Sequence, residues 1–286
     1  MFDTISNSFE IMRQCITVLR KDRELIIFPI LSGAAMLFVT ASFVLPLAGT
    51  DCSTIEANLR SLDTTNISQD PVAWILLFAF YFVNYFVITF FNAALISCAI
   101  VRFNGGDPTV STGLRFACKR IPQIAGWALV SATVGILLRL LENNKNFGAQ
   151  IVGALAGVAW SIASYFVVPV IVVEKLGPVD AIKRSIAVIR ETWGEALVTG
   201  LSLGPLQFIV MLIAASPFLF ALTTGIPLVI YACLAVSIIL LMTTALIFAT
   251  LDSILIAALY LYASSDKVPR GFNRSFLQNA FQHKDE

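Results

Sequence analysis

Six apolar stretches, each long enough to cross a bilayer, fill most of this 286-residue chain. A helix of about 20 apolar residues spans a hydrocarbon core of about 30 Å, and lipid offers no partner to an unpaired backbone amide. The stretches are Leu25 to Ala48, Val72 to Val101, Ile124 to Leu141, Ala149 to Val173, Ala196 to Leu222 and Ile226 to about Leu251. Hydrophobic residues make up 58% of the chain and charged residues only 13%, far below the roughly 25% of soluble domains. The reading is an all-α, polytopic membrane helix bundle, one integral membrane domain over residues 1–286 with six transmembrane spans.

Orientation follows from Lys and Arg, because basic residues near span ends resist translocation. Four alternate segments hold four each: Arg13, Arg20, Lys21 and Arg23; Arg102, Arg115, Lys119 and Arg120; Lys175, Lys183, Arg184 and Arg190; Lys267, Arg270, Arg274 and Lys284. Only Arg60, Arg139 and Lys145 of the 19 basic residues remain for the opposite side, where Asp51, Glu56, Asp63 and Asp70 make the first loop acidic. Both termini are expected in the cytoplasm and the chain in the cell (inner) membrane.

The first apolar run is longer than a signal-peptide core, and Cys52 stands too far beyond Gly49 for a lipoprotein signal, so the span is expected to be retained. The five cysteines form no disulfide framework. Cys15 and Cys118 fall on the cytoplasmic side, Cys98 and Cys233 within spans, and only Cys52 outside.

The segments preceding the odd-numbered spans repeat one another. Glu10-Ile-Met-Arg-Gln-Cys-Ile-Thr-Val-Leu-Arg20 matches Asp180-Ala-Ile-Lys-Arg-Ser-Ile-Ala-Val-Ile-Arg190 without a gap. A weaker copy runs from Thr112 to Val130, with Gly126, Ala128 and Leu129 opposite Gly194, Ala196 and Leu197. Three parallel pseudo-repeats result, about 1–103, 104–175 and 176–286, each a cytoplasmic amphipathic helix followed by a transmembrane hairpin. Helical spacing puts Ile5, Phe9, Met12, Ile16 and Leu19 in one apolar stripe, Ile182, Ile186, Ile189 and Trp193 in a second, and Leu114, Cys118 and Ile121 in a third. Such a helix either lies in the headgroup layer or packs on neighbouring spans. In the first case Arg13, Arg20, Lys21, Arg23, Arg115, Lys119, Lys183, Arg184 and Arg190 are candidate contacts to lipid headgroups, worth about 1 kcal/mol each.

The opening Phe2 to Ser32, with its core Val18-Leu-Arg-Lys-Asp-Arg-Glu-Leu-Ile-Ile-Phe-Pro-Ile-Leu-Ser32, resembles the start of the prokaryotic integral-membrane family catalogued as domain of unknown function 6159. The closing Ala257-Ala-Leu-Tyr-Leu-Tyr-Ala263, Val268-Pro-Arg-Gly-Phe272 and Ala280-Phe281 resemble its end, so the likeness covers the whole chain. More distantly, the helix-then-hairpin plan is similar to the membrane domain found with some glycerophosphodiester phosphodiesterases, whose catalytic domain has no counterpart here. The first family implies a fold and no activity.

Residues that intramembrane enzymes need are scarce. His283, the only histidine, lies in the polar tail, which excludes a multi-histidine zinc site and a His-Glu-x-x-His protease. No lysine falls inside a span to serve a serine–lysine dyad. Gly105-Gly106-Asp107-Pro108 lacks a following Gly-Lys-Ser/Thr and reads as a turn. No cofactor, metal or nucleic-acid site is expected. Asp252 interrupts the last apolar run about 39 Å from its start, at the interface, where Asp252-Ser253 is expected to cap a new helix rather than form an ion site.

In the fifth span Gly204-Pro205 is expected to kink the helix and free the carbonyls of Gly200 and Leu201. Thr199, Ser202 and Gln207 either satisfy those carbonyls or line a polar cavity facing Asn84 and Asn92 on span two. Function is therefore expected to be non-enzymatic, organising membrane lipids or an unidentified membrane or cytoplasmic protein through the cytoplasmic helices. A small-molecule or lipid transporter with its cavity at the broken fifth span is the alternative.

The distribution of basic residues sets the topology test. In a background free of native cysteines, a cysteine placed at Asp63 should react with an impermeant maleimide applied from outside, and one at Lys284 should react only after the cells are broken. Labelling of position 284 on intact cells would overturn both the even span count and the orientation.

Overall fold

A computed structural model describes residues 2–48, 71–142, 147–192, 204–265, 269 and 272, and among them every regular element is helical. Helix α1 covers Phe2–Lys21 and leads through a 3-10 turn at Arg23–Ile26 into α2, Ile27–Ala48. Then come α3 (Pro71–Phe103), α4 (Val110–Cys118), α5 (Ile121–Glu142), α6 (Phe147–Ser164), α7 (Val167–Val173), α8 (Pro178–Thr192), α9 (Gly204–Leu222) and α10 (Pro227–Ser265). Asp51, Cys52, Glu56, Arg60, Asp63, Asp70, Lys145, Trp193, Thr199, Ser202, Lys267, Arg270, Arg274, His283 and Lys284 lie outside the described residues, as do the side chains of Ile5 and Phe9.

Among the described residues five helical stretches are long and apolar enough to cross a membrane: Arg23–Leu45, Trp74–Phe103, Ile121–Glu142, Gly148–Val173 and Pro227–Ser265. They mark a membrane protein. The fifth expected span is represented by the shorter apolar stretch Leu206–Leu222, its expected beginning lying outside the described residues.

Prolines set many of the helix boundaries. Pro71, Pro178 and Pro227 open α3, α8 and α10, and Pro122 and Pro205 stand second in α5 and α9. At these positions the missing N–H would have had no intrahelical partner, and the ring's fixed φ already suits the helix. Pro205 thus sits in the first turn of α9. The kink expected at Gly204-Pro205 turns on residues 199–203, which lie outside the described residues. Pro169 and Pro217 fall deeper in apolar helices. Pro169 is the third residue of α7, and its ring opposes the carbonyl four residues earlier, so expected span four divides at Tyr165 and Phe166 into α6 and α7. Pro217 lies inside α9, which continues through it. There the Ser216 hydroxyl donates to the Ile213 carbonyl at 2.7 Å, the acceptor Pro217 cannot reach, and the Phe218 amide donates to Ser237 Oγ at 3.1 Å.

The last helix corrects the expected boundary near Leu251. The 39 residues of α10 are continuous, about 58 Å at 1.5 Å per residue. Asp252 therefore lies within a helix and starts none. The Ser253 hydroxyl donates back to the Ala249 carbonyl at 2.9 Å, the bond of a serine inside a helix. The reason is continuity of helix-forming apolar residues on both sides, with no proline or glycine from Leu228 to Ser265 to stop propagation.

The chain divides into two compact units, Met1–Pro29 with Leu95–Gly113 and Ala187–Glu286, and Ile30–Ala94 with Leu114–Ile186. In the first, α9 and α10 form a hairpin turned at Gly225, whose φ of +65° suits glycine, and α1 packs against both helices. Its core is the second half of α10, where Leu251, Ile254, Leu255, Leu259 and Tyr260 are fully buried, together with Val18, Leu25 and Phe28. The first half of α10 presents Leu228, Tyr231, Ile239 and Met242 outward, as a lipid-facing helix does.

In the second unit α5 and α6 pack as a hairpin. Trp127 and Trp160 stack with centroids 5.4 Å apart, and a Cβ on Gly153 would sit a tight 3.1 Å from Leu141 Cβ, so the close approach favours glycine there. Arg139, three residues from the end of α5, donates to the Tyr81 hydroxyl, which gives a cation at the end of an apolar span a polar partner.

One ion pair closes the corner between α3 and α4. Asp22, at the end of α1, accepts two bonds from the Arg102 guanidinium. Arg102 also meets Asp107 at 2.6 Å, while Glu24 Oε2 accepts the Val110 amide at 3.2 Å at the start of α4. The Asp22 side chain is 5% exposed and that of Asp107 89%.

The difference in exposure predicts a difference in stability. Asp22→Asn should cost about 1–3 kcal/mol, since it weakens a desolvated bidentate pair, whereas Asp107→Asn should stay within about 0.5 kcal/mol because water already screens that contact. Detergent-solubilised thermal unfolding reads both, and equal losses would contradict the assignment of the buried partner. Lys175 is exposed and holds φ +63° at the end of α7, a conformation costing a side chain about 1–2 kcal/mol that glycine avoids. Lys175→Gly should therefore raise stability by about 0.5–1 kcal/mol after its larger unfolded-state entropy is subtracted. A lower midpoint would show that the lysine makes a compensating contact.

Candidate functional site

Each of the three segments singled out by their cations forms a helix: α1, α4 and α8. Their buried faces differ from the expected stripes by about one residue. In α1 the buried residues are Cys15 and Val18, and Met12, Ile16 and Leu19 are only half-buried. In α4 Gly113 and Ala117 are buried, Leu114 is half-buried, Cys118 is exposed and Ile121 beyond it is 42% exposed. In α8 the buried set is Ala181, Ser185, Val188 and Ile189, with Ile182 and Ile186 half-buried. Small side chains permit close backbone approach, so Cys15, Ala117 and Ser185 take the tightest positions and most of the bulkier apolar stripe is turned about 100° away, Ile189 excepted.

The sequence register that matches Cys15 with Ser185 also places Ala117 on Ser185. All three are at most 1% exposed. Burial pushes the Cys15 thiol well above its ordinary range, with the charge of Asp252 adding to the effect, so that thiol is unreactive. Ser185 instead repairs the backbone. Its Oγ accepts the Phe166 amide at 3.1 Å, satisfying a donor released where α6 and α7 divide. Sequence reasoning misses both Ser185 and Pro169. The proline is the available signal, since it predicts a freed donor nearby; the identity of the acceptor is a tertiary fact.

The expected headgroup cations are largely on the open face. Arg13, Arg20, Lys21, Arg23, Arg115, Lys119, Lys183 and Arg190 are exposed. Lys183 meets Asp180 at 3.6 Å across one turn, a solvated pair of small worth. Arg184 differs, being half-buried and bound to Glu174 at 2.9 Å.

Of the residues expected around a polar cavity, Thr199 and Ser202 lie outside the described residues, as do the carbonyls of Gly200 and Leu201. Asn84 and Asn92 share α3, and the Asn84 amide donates to the Phe80 carbonyl of its own helix at 2.8 Å. Pro205 occupies the first turn of α9, and Gln207 is half-buried. Among the described residues no three His, Cys, Asp or Glu side chains gather as a metal ion would require.

No curated protein matches the chain. A family model described as "Family of unknown function (DUF6159)" matches residues 71–270, from the start of α3 to beyond the end of α10. The match carries no link to the glycerophosphodiester phosphodiesterase membrane domain. It covers well over half of the sequence, and the chain belongs to this family of unknown function, DUF6159.

Proposed function

We propose that this is a non-enzymatic multi-pass protein of the cell (inner) membrane, with cytoplasmic termini, that organises lipid or a protein partner through α1, α4 and α8. The observation that carries the reading is the rotation of the bulky apolar stripes away from the packed faces. Ile16, Leu19, Leu114, Ile182 and Ile186 remain partly uncovered beside exposed Arg20, Arg115, Lys119, Lys183 and Arg190. A helix with apolar side chains next to cations on its open side fits the headgroup boundary, where the first insert and the second meet phosphates. Helices α1 and α4 each lead within four residues into a stretch apolar enough to span the membrane, which supports a position near that boundary. The scarcity of histidine and of lysine within spans supports the absence of catalysis.

Reconstituted full-length protein tests the reading, with its four tryptophans reporting on brominated lipids. Anionic lipid should quench more strongly than zwitterionic lipid, and the preference should shrink between 0.1 M and 1 M salt as the screening length falls from about 10 Å to about 3 Å. Changing Arg115, Lys119, Lys183 and Arg190 together to glutamine should remove most of the difference. Equal quenching by both lipids at every salt concentration would sink the proposal.

A further inference from the structure

At the end of α5 away from α4, two helix faces of the second unit meet in register. Gly135 and Arg139 lie one turn apart on α5, and Tyr81 and Tyr85 one turn apart on α3. A Cβ on Gly135 would lie 3.0 Å from the Tyr85 hydroxyl oxygen, and Arg139 donates to the Tyr81 hydroxyl, so the two faces are joined at both levels. Rings hold the tyrosines in place. Tyr81 stacks on Tyr85 with centroids 6.2 Å apart and meets Phe80 edge-on at 6.1 Å, and Phe80 in turn meets Phe43 of α2 at 5.5 Å.

Arg139 is exposed and Tyr81 half-buried, so both can be reached from outside the protein. The Tyr81 oxygen accepts from Arg139, and its own hydrogen has no acceptor among the described residues. The guanidinium keeps most of its N–H donors. Glu142 stands three residues on and is exposed, yet among the described residues no carboxylate pairs with Arg139. A cation and a hydroxyl donor side by side, both short of acceptors, call for an anionic oxygen.

Depth identifies the carrier of that oxygen. From Ile121 to Arg139 the helix rises about 27 Å, close to the thickness of a hydrocarbon core of about 30 Å, so the pair stands at the boundary where aromatic residues collect and phosphates begin. Leu137 and Leu140 beside it expose 55% and 49% of their surface. A soluble anion has no use for that apolar flank, whereas a lipid lays its acyl chains there.

We propose that Arg139 and Tyr81 hold the phosphate of a phospholipid in the leaflet opposite α4, the guanidinium and the tyrosine hydroxyl each donating to a phosphate oxygen. Tyr85 and Gly135 position the Tyr81 ring. The site is separate from the cationic helices and stands even if those helices bind no lipid.

Full-length protein with Arg115, Lys119, Lys183 and Arg190 changed to glutamine removes the cationic surface from the comparison. In detergent it is given dioleoyl phosphatidylglycerol and dioleoylglycerol, which has the same acyl chains and no phosphate, and bound lipid is counted by native mass spectrometry. One phosphatidylglycerol should be retained, and Arg139→Gln should weaken its retention about tenfold, as loss of a hydrogen bond to a charged group does. Tyr81→Phe should weaken it about fivefold. Retention of phosphatidylglycerol unchanged by Arg139→Gln, or equal retention of the two lipids before it, overturns the site. Displacement by millimolar inorganic phosphate would also overturn it, since a soluble anion would then be the ligand. Should Arg139→Gln unfold, Tyr81→Phe, which removes a single oxygen, decides. Should the fourfold variant unfold, the same substitutions are compared in the wild type, where Arg139→Gln should lower the number of retained phosphatidylglycerols by one and no change overturns the site.

Discussion

Everything in this architecture answers to one constraint, that a backbone amide or carbonyl in an apolar solvent must find a partner within the protein. Helices satisfy it by themselves, and the prolines show what happens at its edges. Five prolines stand in the first two positions of helices, where no intrahelical amide is lost. Of those that fall deeper, Pro169 and Pro217 are each accompanied by serine. Ser216 and Ser237 serve the turn around Pro217, and Ser185 receives the amide of Phe166 where Pro169 divides an apolar run. Serine is small enough to be fully buried and carries both donor and acceptor, which suits it to repair a broken ladder without opening a cavity.

The same economy of size governs the cationic helices. At matched positions Cys15, Ala117 and Ser185 are all inaccessible, and none has more than one heavy atom beyond Cβ. Larger apolar residues one position on are excluded from the tight face and stay partly exposed. In water that arrangement would leave apolar surface unprotected. On the lipid-organising reading proposed above, a bilayer surface takes the greasy side chains inward from the phosphates and the arginines and lysines level with them.

Legibility in the sequence follows the range of the interactions. The apolar spans and the cationic helices are readable because each depends on composition and period within about 20 residues. Boundaries set by proline are half readable: Pro71 and Pro227 agree with expected starts, but Pro169 is hidden inside a uniformly apolar run. Asp252 misleads for a related reason. A charge looks like an end when only the local pattern is weighed, yet one ionisable residue does not stop a helix with strong formers on both sides. The pairing of Asp22 with Arg102 is not readable, because 80 residues separate partners that look alike in type to many other charged residues in the chain.

The length of α10 has a mechanical consequence. At about 58 Å it is nearly twice the thickness of a hydrocarbon core, and it has no internal joint. A change in bilayer thickness that re-tilts its lipid-facing half must therefore swing the other half through the opposite arc, as a lever turns about a fulcrum. That far arm is the one packed in the protein core beside α1. The fold thus gives bilayer dimensions a rigid connection to a helix that carries Arg13, Arg20 and Lys21.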